Sequence, residues 1–298
     1  MEGFSVDALV PKAMAQKAED VGVSKAGLGP LRMLALAILA GAFIGLGAIF
    51  ATTITTGASE LPFGVGKLLG GLVFCLGLIL VIGAGAELFT GNNLIVMGWA
   101  SRKVSTGALL RNWIIVYVGN FIGSIATAYF MLLSKQYTFG AGAIGLNVLN
   151  IANHKVHLGF GQALVLGVLC NALVCLAVWL TFGARTSTDK ILAIIFPITA
   201  FVAAGFEHSV ANMYFIPMGL FVKSGADASF WANIGKTTAD YADLTWGNFF
   251  LVNLLPVTIG NIIGGVVMVG FAYWFIYLRP TWTNNPFYMN KNLQDSTD

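Results

Sequence analysis

Charge is what this sequence has least of. Only 10% of its 298 residues are Asp, Glu, Lys or Arg, against roughly a quarter in an ordinary soluble domain, while 57% are hydrophobic. A water-soluble fold has no means of hiding that much apolar side chain, so lipid is the expected solvent. The net charge of +3 gives no basis for a nucleic-acid partner. Cysteine is scarce too: Cys75, Cys170 and Cys175 lie in apolar stretches, at spacings that suit neither a disulfide framework nor a zinc site. They read as small hydrophobes, and neither a metal nor a cofactor is expected. Residues 1–30 are polar and mixed in charge, without the apolar core of a secretory signal. The first hydrophobic span is therefore expected to act as its own insertion signal.

What is present is a set of six apolar stretches, near Leu31–Thr56, Lys67–Ala100, Leu109–Ser134, Phe160–Phe182, Lys190–Val222 and Phe249–Leu278. Each can cross a hydrocarbon core of about 30 Å, which takes ~20 helical residues. The second and fifth are too long for one straight span. Eleven of the 16 basic residues, among them Lys12, Lys25, Arg102, Arg111, Arg185 and Arg279, fall on one side; Lys67, Lys135, Lys155, Lys223 and Lys236 fall on the other. That bias predicts a multi-pass protein of the cell (inner) membrane with both termini cytoplasmic. The expected organisation is a cytoplasmic segment over 1–30, three spans over 31–134, an extracytoplasmic loop over 135–158, three more spans over 159–278, and a disordered tail over 279–298. Within the first segment, Phe4 to Val23 is loosely amphipathic and reads as an interfacial helix, with pore gating as the alternative.

Two motifs recur in the same order. Glu87 precedes Asn92 by five residues and Glu207 precedes Asn212 by five; Gly119-Asn120-Phe121-Ile122-Gly123 in span three matches Gly260-Asn261-Ile262-Ile263-Gly264 in span six. Three spans per half make the second half enter the membrane from the opposite side, which predicts an all-α inverted repeat of 3+3 spans. The glycines of both segments have the small-xxx-small spacing that lets helices approach closely.

Spans two and five are interrupted at mid-depth. Gly83 to Asn93 and Gly205 to Asn212 combine poor helix formers with a carboxylate, the latter bracketed by Pro197 and Pro217. Irregular backbone survives in a membrane only where protein or water satisfies it. Such breaks also expose helix N-termini that favour anions. Two facing breaks predict a solute site near the midplane. Glu87 and Glu207 read as acceptors for N–H groups that the breaks set free, with Asn92 and Asn212 beside them. His208 is the only histidine inside a span; His154 and His157 belong to the loop. Lying at the break beside Ser209 and Asn212, it is expected to contact the solute. Asn171 is a second polar group in an apolar run, suited to orient His208 or the solute.

Glu-Leu-Phe-Thr-Gly-Asn (87–92), Asn-His-Lys-Val-His (153–157), Gly-Phe-Glu-His-Ser-Val-Ala-Asn-Met (205–213) and Pro-Val-Thr-Ile-Gly-Asn-Ile-Ile-Gly-Gly (256–265) resemble the formate/nitrite transporter family, most like its formate channels. The resemblance implies an aquaporin-like fold, a homopentamer with one pore per protomer, and a lipid-plugged central hole. It implies a pore centre of His208, Asn171 and Thr90, apolar constrictions at Phe74, Leu78, Leu88, Phe89 and Phe201, a flexible loop over Leu88–Asn92, and an anion-drawing Lys155 in the outer vestibule. The expected activity is pH-dependent passage of formate, with proton coupling as one form of it, and with nitrite, hydrosulfide, acetate and lactate as further small monovalent anions. A neutral-solute aquaporin would show two Asn-Pro-Ala turns, which are absent. An intramembrane metalloprotease would need paired histidines at i and i+4 in a span, also absent. No enzymatic activity is expected.

Overall fold

The computed structural model describes residues 8–279; Phe4 and the tail after Arg279 lie outside them. All regular secondary structure among the described residues is helical. The chain runs through α1 (Pro11–Ala26), α2 (Pro30–Thr55), α3 (Phe63–Ala84), a tight turn over Gly91–Ile95, α4 (Val96–Ala100) and α5 (Thr106–Leu133). Then come α6 (Ala143–Val156), α7 (Phe160–Gly183), α8 (Ser187–Ala203), α9 (Ser209–Gly225), α10 (Ala228–Ile234) and a last helix, α11, over residues 246–277. α11 widens into π-type turns at Phe249–Leu254 and Gly264–Phe271.

Helices α2, α3, α5, α7 and α11 are each long and apolar enough to cross a membrane. The fifth span in sequence order is assembled from α8 and α9, 17 residues each. Their outward surfaces stay apolar, with Leu31, Ile114, Phe130 and Phe196 all more than 60% exposed. This is a multi-pass membrane protein, and those residues face outward from the bundle.

The chain shapes its own helix ends. Pro11 and Pro30 stand in the first turns of α1 and α2, where a missing N–H costs nothing. Thr186 and Asp189 form a reciprocal cap at the start of α8. α3 and α8 both stop at a glycine in the left-handed region, Gly85 at φ 72° and Gly205 at φ 73°. Only glycine takes that conformation without strain, so both breaks begin in the same way. Pro197 and Pro217 do not cause the second break, because both sit inside helices, one in α8 and one in α9.

Close backbone approach packs the spans. A Cβ on Gly123 would lie 2.0 Å from the Ile38 carbonyl, and one on Gly264 would lie 2.1 Å from the Val168 carbonyl. So α5 grips α2 as α11 grips α7, through the two copies of the repeated motif. Segment 135–158, expected as a loop, instead contains α6. Its buried stripe of Ile144, Val148, Leu149, Ala152 and Val156 has helical period, and Ala152 packs against Gly219 of α9.

α1 is anchored at one end of the bundle by Glu19, which is buried and accepts from Lys103 and Gln16. Burial pushes the Glu19 carboxyl up, but Lys103, Ser101 and Gln16 together hold it below its ordinary value. A carboxyl lowered in the folded state stabilises fully above its unfolded pKa and stops doing so as pH falls through the folded one. This anchor is therefore intact at neutral pH and fails only in acid, below about pH 4.

Two outcomes are expected. Gly264→Ala should lower the thermal stability of the purified protein by about 1–3 kcal/mol through overpacking, while Gly161→Ala, with nothing within 4 Å, should not; equal melting temperatures would refute the packing role. Glu19→Gln should speed proteolysis around α1 about fivefold at pH 7, a loss of ~1 kcal/mol for a pair whose lysine is half exposed.

Candidate functional site

Each break strands peptide groups at membrane depth, and one asparagine on the neighbouring long helix satisfies them. Asn120 of α5 donates from Nδ2 to the carbonyls of Ala37 (2.8 Å) and Glu87 (2.9 Å), while its Oδ1 accepts from the Phe89 N–H (2.9 Å). Asn261 of α11 donates to the carbonyls of Gly167 (2.8 Å) and Glu207 (2.9 Å) and accepts from the Ser209 N–H (2.9 Å). The N–H groups of Glu87 and Glu207 donate to the carbonyls of Leu36 and Leu166. The two sets are the same bond for bond.

The carboxylates behave differently from expectation. Neither is spent on the freed N–H groups, because the two asparagines already serve them. Glu87 accepts from Lys25 Nζ (2.7 Å) and Asn92 Nδ2 (2.7 Å), and Asn92 also donates to Asn112 Oδ1 (2.9 Å). Glu207 accepts from Lys155 Nζ (2.7 Å) and Asn212 Nδ2 (2.6 Å), and Asn212 donates to Asn253 Oδ1 (2.7 Å). Asn112 and Asn253 close each cluster by donating to the Lys25 and Lys155 carbonyls. Both clusters are nearly sequestered, with Glu87 and Glu207 each 3% exposed. A buried carboxylate paired and fully bonded is tolerable where a bare one is not. Lys155 is thus not a free vestibule cation: Glu207 balances its charge.

Two funnels open beside the breaks. One, of about 330 Å³, opens on the α1 side and is lined by Lys17, Lys25, Lys190, Leu78 and Leu88 among others. The other, of about 630 Å³, opens on the α6 side and is lined by Lys67, His154, Lys155, Phe74, Phe201 and His208 among others. Phe74 and Phe201 meet edge to face, with centroids 5.8 Å apart, and His208 stacks on Phe201 at 5.9 Å.

At the junction His208 Nε2 lies 3.0 Å from Thr90 Oγ1, joining the two breaks. His208 also caps α9, its Nδ1 accepting from the Ala211 N–H at 3.0 Å. A nitrogen that accepts carries no proton, so the neutral ring bears its hydrogen on Nε2, facing Thr90. In the first break the corresponding position is held by Leu88, which cannot do this.

The other expected pore residues divide. Phe74, Leu78, Leu88 and Phe201 line the funnels. Phe89 lines neither: its N–H is held by Asn120 and its ring packs on Tyr117 and Trp113 of α5, at 4.9 and 6.2 Å. Asn171 does not touch His208; it donates to the carbonyls of Thr90 and Asn261 and to Asn93 Oδ1, so it fixes the backbone that carries Thr90. The Leu88–Asn92 stretch, expected to be loose, is buried and bonded, with the Asn92 carbonyl accepting from Trp113 and the Leu88 carbonyl from Asn92. Sequence reasoning passed over Asn120 and Asn261, reading only the glycines around them. Repetition of an asparagine within an apolar span was the available signal. Lys25, Asn112 and Asn253 carried no such mark.

The family model for the formate/nitrite transporter matches residues 12–275. The formate channel FocA of Escherichia coli (strain K12) is 48% identical over 273 residues, covering 92% of this chain and 96% of that one. The formate channel FocA of Haemophilus influenzae is 43% identical over 263 residues, covering 88% and 93%. Among solved structures, a pentameric formate channel with formate bound superposes with a TM-score of 0.81 at 51% identity, covering 84% of this chain and 98% of that one.

Asn120→Ala or Asn261→Ala should destabilise the protein by about 3 kcal/mol or more, since each buried peptide group left unpaired costs ~1–3 kcal/mol. Thermal unfolding in detergent is the measurement, and a shift no larger than that of an exposed control would sink the role assigned to these asparagines.

Proposed function

We propose, from the premise that this chain belongs to the formate/nitrite transporter family, that it is a channel for formate and similar small monovalent anions. It does not act as an enzyme. The observation that carries the reading is a pair of lysine-bearing funnels, one beside each break, with His208 at the wall of one and hydrogen-bonded to Thr90 of the other break, in a chain 48% identical to a formate channel. On this reading the halves form an inverted repeat, five copies assemble into a pentamer as in the solved relative, and both termini lie in the cytoplasm of a cell with its α1 funnel facing inward. Nitrite, hydrosulfide, acetate and lactate belong to the same size and charge class.

Formate is almost wholly anionic at neutral pH. Lysines at both mouths draw the anion in, and the apolar rings at Phe74/Phe201 and Leu78/Leu88 oppose bare charge. Behind the Phe74/Phe201 pair, His208 and its partner Thr90 offer hydrogen-bond donors. His208 holds its one proton on Nε2 while Nδ1 is tied to Ala211. Losing that proton outright would leave an imidazolate, so the ring serves as a donor to the passing solute. Passage becomes pH-dependent because the protonated form of the solute crosses the apolar rings more cheaply than the anion.

The test is flux in proteoliposomes between pH 5 and 8. His208→Phe removes the donor and the helix cap together, and should change formate flux or its pH profile by about tenfold, as expected for one or two lost hydrogen bonds. Thr90→Val removes the hydroxyl alone and should shift flux in the same direction. Unchanged flux across that pH range in both variants rules the central role out.

A further inference from the structure

The two breaks resume their helices in different ways. After His208 the chain enters α9 at once, and the backbone bonds of that helix fix the residues that follow. After Leu88 it passes instead through the tight turn at Gly91–Ile95 and into α4, which has five residues. A tight turn has poorer hydrogen-bond geometry than an α-helix, so side chains have to complete its support.

Asn93 supplies that support. Its Nδ2 donates to the Phe89 carbonyl at 3.2 Å, and its Oδ1 accepts from Asn171 Nδ2 of α7 at 2.8 Å. Thr90 lies between these two attachments, and its own carbonyl accepts from Asn171 at 3.3 Å and from Cys175 Sγ at 3.4 Å. Asn93, Thr90 and Asn171 are all fully buried. Gly265 of α11 reserves the space where the two amides meet: a Cβ there would lie 2.5 Å from Asn171 Nδ2 and 2.8 Å from the Asn93 Cβ. The repeat aligns Asn93 with Met213, which is equally buried but has no amide with which to make such a tie.

Thr90 Oγ1 touches His208 Nε2 directly, at 3.0 Å. His208 cannot retreat, since its ring caps α9 at Ala211 and stacks on Phe201. A solute that parts the two side chains therefore displaces Thr90, and the turn carrying Thr90 yields only as far as its ties to α7 allow. From this arrangement we propose that Asn93 sets the size of solute that passes: by holding the Thr90 turn to α7, it admits the narrowest monocarboxylates and holds back broader ones. Asn93 is a positioning residue that acts through Thr90. The inference rests on the channel reading above and refines it, ranking solutes of one charge by width.

Formate and lactate are singly charged acids of nearly equal strength, so at one pH they differ in width and hardly in charge. Paired flux measurements in proteoliposomes should run about tenfold faster for formate in the wild type. Asn93→Leu keeps the bulk and removes both bonds, and should raise the lactate-to-formate ratio about tenfold, as one or two lost hydrogen bonds would. Amide exchange across residues 88–93, followed by mass spectrometry in nanodiscs, should quicken to a similar degree. Met213→Leu, at the matching place in the second break, should alter neither. Asn93→Ser keeps a short donor and acceptor, covers the case in which leucine prevents folding, and should raise the ratio less. A purely structural role would lower both fluxes together and leave the ratio alone. Equal formate and lactate flux in the wild type, or a ratio unmoved in whichever Asn93 variant folds, overturns the proposal. Absence of flux for either solute in the wild type, with exchange still quickened by Asn93→Leu, overturns the channel reading and leaves the tie from Asn93 to α7 standing.

Discussion

A helix broken inside a membrane leaves peptide groups with neither a helical partner nor water, and the rest of this structure is organised around that constraint. Each break begins at a left-handed glycine and is closed by an asparagine on the adjacent long helix, which serves two carbonyls and one N–H at once. For Asn120 and Asn261 to reach, their helices must run almost in contact with α2 and α7. The glycines that flank them, with backbone where a Cβ would stand, make that approach available. The Gly-Asn-x-x-Gly motif therefore couples tight packing and satisfaction of the break in one stretch of five residues.

Because the asparagines serve the backbone, the carboxylates are free to bind lysines. Glu87 and Glu207 each hold a lysine at the wall of a funnel. The halves then diverge at the residue after each glutamate. His208 stands opposite Thr90 in one break, and Leu88 fills its place in the other. Tyr117 and Thr258, near the motif asparagines, bond directly between α5 and α11 at 2.8 Å and tie the two halves together behind the junction.

Much of this was legible in the sequence. Six apolar stretches, the excess length of the second and fifth, the repeated motifs and the single intramembrane histidine depend on composition and order along the chain, which a linear reading preserves. Phe74, Leu78, Leu88 and Phe201 were assigned by resemblance and do line the funnels. Phe89 was grouped with them and turned out to pack on α5, since its neighbour Leu88 takes the inward direction at an irregular turn where no periodicity predicts facing. Segment 135–158 was expected as a loop, although its apolar stripe has helical spacing.

The sequence by itself determined that the chain would live in lipid, cross it six times and break two of its spans, because transfer of side chains and peptide groups into hydrocarbon is decided locally. Tertiary structure alone decided which groups meet. Lys25 and Glu87 are 62 residues apart, Thr90 and His208 are 118 apart, and hydrogen bonding is settled within about 3 Å. The most telling difference between the halves, a second break resumed at once by α9 and a first resumed by a turn tied through Asn93, turns on two side-chain amides that meet beside Gly265. No pattern along the chain specifies that meeting, since it exists only once three separate segments have packed around it.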